Sequence, residues 1–398
     1  SSQNFQYQPF NKKIIKLGAK VRDVYIPSWR DRIVDGMLNV ELNRKTDTLQ
    51  SVNSYAYRLK NAGVDICQTN IGKRLFNYNK PVYIVKRDIS NYYQSVDKDL
   101  MCNKIAEFVD ENDYLFKLIR SRIYYNASYK GQAVYDSGIP FGSPLSCFMA
   151  NVYLTDLDMK IEKFGVNYYR YADDILMFHD DKHRVVDALC CFNETLSQLK
   201  LTTKDRHTKN MCFYGDGDEV FVKSKAIGHL GLYFKDDKII GIAREKQRKI
   251  LNIFKRTINR RLKTILNLKT PYARAKLIIS YIKQTIVENI RPTAVIDYYL
   301  KHMTDEHQLK QIDKMVADLV LSVATGRGYK KSNYNYVSFK ELRDLGLPSL
   351  LHRSRLLNHG HIESNFFDFR VRKKSKVYIK SMRSKSVNDV LCGNEKID

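Results

Sequence analysis

Two β-rich runs joined by a short acidic turn constrain this chain more than any other feature. Val166-Asn167-Tyr168-Tyr169-Arg170-Tyr171 leads into Ala172-Asp173-Asp174, and Ile175-Leu176-Met177-Phe178 follows. β-branched and aromatic residues on both sides of so short a turn predict a hairpin. Far upstream, Val82-Tyr83-Ile84-Val85 is a second strand signal, and it ends at Asp88. If the two lie side by side in one sheet, Asp88, Asp173 and Asp174 converge. Aspartate in a turn is ordinary turn chemistry and alone points nowhere. Three carboxylates aimed at one spot are different, because like charges repel unless a cation joins them. Hard divalent cations take such oxygen ligands.

The charge balance says what kind of partner to expect. The chain has 398 residues, with 68 Lys and Arg against 43 Asp and Glu, a net charge of +25. So large an excess repels itself in a compact state and suits a polyanionic partner, most simply nucleic acid. The 27 tyrosines fit the same partner, since an aromatic face can stack on a base. Hydrophobic residues make up 43% of the chain, which excludes wholesale disorder. No apolar run reaches the roughly 18 residues of a membrane span, so no membrane partner is expected. No secretory signal is evident at the N-terminus, and Ser1 suggests a processed or trimmed start. Seven cysteines without a C-x-x-C pair argue against a disulfide framework and a thiolate zinc site. A reducing cytoplasm is the expected compartment.

The length suggests two to three domains' worth of chain at about 100–200 residues each. Residues 1–20 read as a basic arm and 21–242 as an α+β region. Within it, 97–126 and 143–162 read as helical, 182–199 as a helix of regular apolar spacing, and 219–242 as strand-like with a turn at Asp236-Asp237. From Arg244 the character changes. Ile250, Leu251, Phe254, Ile258, Leu262 and Ile265 form one helical stripe over 244–266, opposite a face that includes Lys246, Lys249, Arg256, Arg260 and Lys263. Thr270-Pro271 and Thr304 are expected helix starts, and Gly326 an expected stop. Residues 243–350 thus read as all-α and 351–398 as a basic extension holding Arg370, Arg372, Lys373, Lys374 and Lys376.

The acidic residues keep specific company. Asp88-Ile89-Ser90-Asn91-Tyr92-Tyr93, then Gly138-Ile139-Pro140-Phe141-Gly142-Ser143-Pro144-Leu145-Ser146, then Tyr171-Ala172-Asp173-Asp174 stand in the order and rough spacing of polymerase motifs A, B and C. In this the chain resembles a bacterial reverse transcriptase of the group II intron and retron-like branch. Ile26-Pro27 with Asp31-Arg32-Ile33-Val34, and Ser54-Tyr55-Ala56-Tyr57-Arg58, resemble its two finger motifs. Leu201-Thr202-Thr203 resembles motif D, and His229-Leu230-Gly231-Leu232-Tyr233 the primer grip. The resemblance covers about 20–240. It implies an α+β right-hand polymerase, with fingers and palm built on an antiparallel sheet over 21–242, followed by a helical thumb.

It also implies roles. Asp88 and Asp173 would ligate two Mg2+ ions (Mn2+ as the alternative), with the Ile89 carbonyl assisting and Asp174 less direct. Tyr93 would be the steric gate against a ribose 2′-hydroxyl. Arg58 would bind the triphosphate, with Lys86 a weaker candidate. Gly142 would start the helix under the templating pair, and Asn151 would contact nucleotide. Lys204, Arg206 and Lys209 all remain open as the motif D residue that protonates the leaving pyrophosphate. Leu230, Gly231 and Leu232 would form the primer grip, and the basic face over 246–263 would track duplex phosphates. One departure stands out: Phe141 replaces the glutamine usual at this place. A phenyl ring can pack on sugar or base but cannot hydrogen-bond, so Phe141→Gln should alter nucleotide preference or product length.

The implied partners are an RNA template, a DNA primer or product, and dNTPs, with homo-oligomerisation left open. The chain has no room for the additions of a full intron protein and no clear RNase H block. Asn61-Ala62-Gly63-Val64-Asp65 lacks the histidine of the retron element, and Val323-Ala324-Thr325-Gly326 only loosely echoes the second one. By subtraction the chain is most similar to the defence-associated reverse transcriptases, which imply a structured noncoding RNA template and action against phage. The alternatives are a retron- or intron-like enzyme outside defence, and a non-catalytic RNA-binding scaffold of polymerase shape. An RNA-dependent RNA polymerase would carry a second aspartate where Tyr93 stands.

Overall fold

The structure, a computed structural model, describes residues 5–17, 20–58, 62–204, 209–287 and 290–362. The chain divides into two compact units, Ser1–Lys225 and Ala226–Asp398.

The strands of the first unit are β1 (Phe10–Leu17), β2 (Lys20–Ile26), β3 (Val82–Asp88), β4 (Ala127–Tyr129), β5 (Gln132–Val134), β6 (Asn167–Tyr171), β7 (Asp174–His179), β8 (Lys209–Phe213) and β9 (Val222–Lys223). Its main sheet runs β6-β7-β3-β8-β9. β3 lies antiparallel between β7 and β8, and β6 and β7 form the expected hairpin. Ala172 and Asp173 make a two-residue loop in which Ala172 takes φ 56, the positive first position of a tight hairpin turn. Ile84, Val85, Ile175, Leu176, Met177 and Phe178 are all fully buried, so the central strands carry continuous apolar runs rather than alternation.

Helices Tyr114–Ile123, Pro144–Val152, Thr155–Glu162 and Lys182–Gln198 build a core with that sheet, centred on Phe148, Met149, Leu157, Ile161 and Phe192. Pro144 occupies the first turn of its helix and Ser143 caps it, as the sequence predicts. The region 97–126 divides into Lys98–Ala106 and Tyr114–Ile123, and 143–162 divides after Val152.

The expected N-terminal arm is instead part of the fold. β1 and β2 form a hairpin whose β1 also pairs with β4. Phe10 anchors it, fully buried against Tyr25 and Tyr125. Exposed Lys13 and Lys16, and Lys12 held by Asp23 and Asp136 at 2.9 Å, give the strand its polar appearance. Helix Trp29–Lys45 follows and buries two acids, Asp31 and Asp35. Buried Arg122 holds both, at 2.8 Å from Asp35 and 3.6 Å from Asp31. Asp35 also accepts from Ser143 Oγ at 2.8 Å, which ties this helix to the Pro144–Val152 helix.

In the second unit, β10 (Ala226–His229), β11 (Leu232–Lys235) and β12 (Ile240–Ile242) form an antiparallel sheet. Helices Arg244–Asn259, Leu262–Leu266, Pro271–Val287, Ile290–Leu300, Glu306–Thr325, Phe339–Asp344 and Leu350–Asn358 accompany it. The second unit therefore starts at Ala226, ahead of the expected boundary at 242/243. The reason is local: Thr304 N–H donates to Ile240 O at 2.9 Å, and Ile242 N–H donates to Gln308 Oε1 at 2.8 Å, which join the sheet to the helical part. The expected 244–266 helix breaks after Asn259, and Leu262 is left exposed. Asp305, not Thr304, caps the Glu306–Thr325 helix, and Gly326 ends it at φ 70. The basic cluster from Arg370 to Lys376 lies outside the described residues.

Candidate active site

Asp88 is the last residue of β3 and pairs in register with Asp174, the first residue of β7. The next residue, Ile89, is fully buried and donates its N–H to the carbonyl of Asp173 at 3.1 Å. A further segment closes the group from the other side. Lys204 N–H donates to Asp88 O at 2.8 Å, and Ser90 N–H to Thr202 O at 2.8 Å. Lys204 is thereby fixed by its own backbone, and its Nζ stands 2.5 Å from Asp88 Oδ1 and 3.8 Å from Asp173 Oδ2.

This arrangement separates two of the three motif D candidates. Lys204 is at the carboxylates. Lys209 pairs with Lys86 in the ladder, exposed, its carbonyl accepting from Arg87 at 3.3 Å. Arg206 lies outside the described residues.

Asp88 and Asp173 meet at the Lys204 ammonium. Asp174 stands opposite Asp88 in the ladder. Asp174 Oδ1 is 3.8 Å from Lys86 Nζ. Among the described residues, no group of three or more His, Cys, Asp and Glu side chains forms a ready metal cluster. The donor set nevertheless suits a hard cation. Asp88 and Asp173 already share one positive charge, the Lys204 ammonium. Burial first, and then the negative charge of Asp88, push the Asp173 carboxyl above the ordinary carboxylate value. A carboxylate pair in that state gains from a cation of higher charge.

Beside this group is a cavity of about 350 Å³, lined by Arg22, Tyr57, Tyr93, Phe141, Asp173 and Lys204 among others. The volume falls at the lower end of small-ligand sites. Gly142 follows Phe141 in the chain. At φ 122, a Cβ there would stand 2.7 Å from Tyr25 O, so only glycine lets this turn lie against β2. Phe141 O accepts from Tyr25 N–H at 2.8 Å. Arg22 and Tyr57, which the sequence reading left unassigned, line the cavity. A positive φ at Tyr57 is a property of the folded backbone, and no residue pattern announced it.

Two expected nucleotide contacts are turned elsewhere. Asn151 is buried: its Oδ1 accepts from Ser54 Oγ at 2.7 Å and Arg170 at 3.0 Å, and its Nδ2 donates to Gln50 at 2.5 Å. Its polar atoms serve a buried network that continues through Arg170 to Asp158 and Tyr168. Arg58 is also folded inward, donating to Ser51 O at 2.8 Å and standing 3.4 Å from Asp47. Lys86, held beside Asp174, does not line the cavity.

In the second unit, Leu230 and Gly231 form the β10–β11 turn at φ 49 and 87, and Leu232 is buried. A Cβ on Gly231 would meet Lys246 Cε at 2.4 Å, so Lys246 packs along the turn and is only half-exposed. Lys249, Arg256, Arg260 and Lys263 are exposed, opposite buried Ile250, Phe254 and Ile258.

The sequence matches the reverse transcriptase (RNA-dependent DNA polymerase) family over residues 14–269. The chain belongs to that family. This reverse transcriptase is by family an RNA-directed DNA polymerase, hence a nucleotidyltransferase, and the family implies a divalent metal, an RNA template and nucleic acid substrates. It is 25% identical over 232 residues to the retron Ec73 reverse transcriptase of Escherichia coli, which covers 54% of this chain and 67% of that one. It is 26% identical over 165 residues to an uncharacterized 91 kDa protein in a cob intron of Schizosaccharomyces pombe, covering 40% of this chain and 20% of that one. Among solved structures, telomerase from Candida albicans in complex with a fragment of telomeric RNA matches at a TM-score of 0.50 and 12% identity, over 94% of this chain and 67% of that one. Apo telomerase from Candida tropicalis matches at 0.50 and 12%, over 94% and 65%. These likenesses establish a mixed α+β, reverse-transcriptase-like fold. Among the described residues, no helix is long and apolar enough to cross a membrane.

Proposed function

We propose that this reverse transcriptase copies an associated, structured noncoding RNA into DNA by two-metal nucleotidyl transfer, in bacterial defence against phage. The Asp88–Lys204–Asp173 group, beside a cavity of nucleotide-binding size, carries the catalytic part. Asp88 and Asp173 would hold divalent ions, with Asp174 and the Ile89 carbonyl adjacent. Such ions, when bound, supply charge stabilisation at the attacking and leaving oxygens of an in-line displacement. In that displacement a primer 3′-hydroxyl loses its proton to solvent water, its oxygen forms a bond to the α-phosphorus of a dNTP, and the bond from that phosphorus to pyrophosphate breaks. Lys204 stands where its ammonium can turn from the carboxylates to the departing pyrophosphate and give it a proton. Tyr93 forms the wall against the sugar. In this reading the first unit supplies fingers and palm and the second the thumb, with Leu230–Leu232 at the primer.

The net charge of +25 and the similarity to a retron enzyme support an RNA of defined structure as template. The same similarity favours one second reading, a retron-like role outside defence.

Primer extension on an RNA template tests the catalytic part. Incorporation of dNTPs should require Mg2+ or Mn2+ and fall by roughly 10³-fold or more in Asp88→Asn or Asp173→Asn. A variant as active as the parent would leave only an RNA-binding scaffold. Sequencing the nucleic acid that co-purifies with the protein tests the template, and phage plating on cells with and without the gene tests the defence role.

A further inference from the structure

Tyr93 does not stand alone in the cavity wall. Its hydroxyl lies 3.1 Å from the hydroxyl of Tyr57, a residue 36 positions upstream. Its ring meets Phe141 edge to face, with centroids 5.1 Å apart at 82°. Tyr92 packs on it at 6.0 Å and 71°. Phe141 is itself covered by the guanidinium of Arg22, 5.5 Å from the ring centre. All five line the same cavity as Asp173 and Lys204.

Tyr57 reaches this place at a backbone cost. Its φ is 63, a conformation that bulky residues rarely adopt. Strain of this kind persists only where the surroundings over-determine it, and it concentrates at functional sites. Here the surroundings that hold the hydroxyl are Tyr93. Burial pushes the Tyr57 phenol up to about 12 and raises the Tyr93 phenol further, so both hydroxyls are protonated at neutral pH.

A steric gate is only as selective as it is stiff. An aromatic ring that can swing away about its first side-chain torsion admits the group it should exclude. We propose that Tyr57 is a specificity-determining positioning residue: its hydroxyl fixes Tyr93, with Phe141 bracing the ring, so that the wall cannot yield to a ribose 2′-hydroxyl. The inference rests on the polymerase reading above. It also gives Phe141 a task that glutamine could not perform, since an amide offers no ring edge or face to Tyr93.

The test compares kcat/KM for each dNTP with that for the matching rNTP, using the full chain, an RNA template and a DNA primer. Tyr57→Phe removes one oxygen and keeps the ring. It should lower the preference for dNTP about threefold to tenfold, the range expected for one neutral hydrogen bond. Phe141→Leu should lower it in the same direction, and Tyr93→Ala should lower it most. Thermal melting of each variant monitors folding. If Tyr57→Phe changes dNTP and rNTP use in equal proportion, or changes neither, while Tyr93→Ala loses selectivity, Tyr57 has no part in the gate and the proposal fails alone. If Tyr93→Ala also keeps its selectivity, the gate assignment and the proposal fall together. A parent chain that extends no primer with either nucleotide overturns the polymerase reading and the proposal with it.

Discussion

Asn151 illustrates how a side chain at a motif position can serve the fold. Its amide accepts from Ser54 and Arg170 and donates to Gln50, all within the interior. Replacement by alanine leaves those partners buried and unsatisfied, at a cost of about 1–3 kcal/mol. Urea unfolding of Asn151→Ala should therefore show a lower midpoint with unchanged slope. KM for dNTP, measured well below that midpoint, should stay close to the parent's. A large rise in KM without loss of stability would return Asn151 to the nucleotide site.

At this same scale, what could be read in advance divides along a physical line. Asp88, Asp173 and Tyr93 were legible because motif residues of fixed type mark them. Lys204 was one of three basic residues spread over 204–209, and what places it at the carboxylates is its N–H bond to Asp88 O together with its ammonium beside Asp88 and Asp173. Asp158, Arg170, Asp31, Asp35 and Arg122 are buried, yet sequence patterns assign charged residues to the surface. Their burial depends on partners far along the chain, Arg170 with Asp158 and Arg122 with Asp31 and Asp35.

Among elements, those with a clear period were legible and those without were not. The β6–β7 hairpin and the Lys182–Gln198 helix follow their patterns closely. Helix Trp29–Lys45 does not, because it exposes Trp29, Ile33, Met37 and Val40 while burying Asp31 and Asp35 beside Leu38 and Leu42. The Glu306–Thr325 helix shows how one cap residue joins elements. Asp305 accepts from Gln308 N–H at 2.9 Å and from Lys235 Nζ at 2.6 Å. Burial raises its carboxyl, but the Lys235 ammonium and the Gln308 N–H outweigh it, so the folded value lies below the ordinary one. A depressed carboxyl contributes stability that is present above the unfolded value and is lost as pH falls through the folded one. Asp305→Ala should cost about 1–2 kcal/mol at neutral pH, the worth of an N-cap. That cost should shrink as pH drops below about 4, the unfolded carboxyl's value, and shrink further as pH falls through the depressed folded value, where the parent carboxyl becomes protonated. Thermal melts of both proteins from pH 3 to 7 check it, and a deficit independent of pH would assign the loss to packing.

For the molecule as a whole, charge is the property that composition states outright and the fold only distributes. A net charge of +25 favours nucleic acid binding at low salt without saying which face carries it. The Arg244–Asn259 helix and the turn after it present Lys249, Arg256, Arg260 and Lys263 to solvent, whereas Lys246 is packed along Gly231. Each ammonium or guanidinium on a phosphate releases condensed counterions, so log K falls with log[salt] by about 0.7 per contact on a single strand and about 0.9 on a duplex. Replacing the four exposed residues by alanine should therefore flatten the salt slope on a duplex by about 3.6 units if all four touch phosphate. Lys246→Ala should flatten it by less than one. Filter binding of an RNA–DNA duplex across a range of salt concentrations reads the slopes directly. A quadruple variant that loses affinity equally at every salt concentration would mean the helix acts through packing. One that loses neither affinity nor slope would make it a solvated face, leaving the phosphate contacts to other parts of this basic chain.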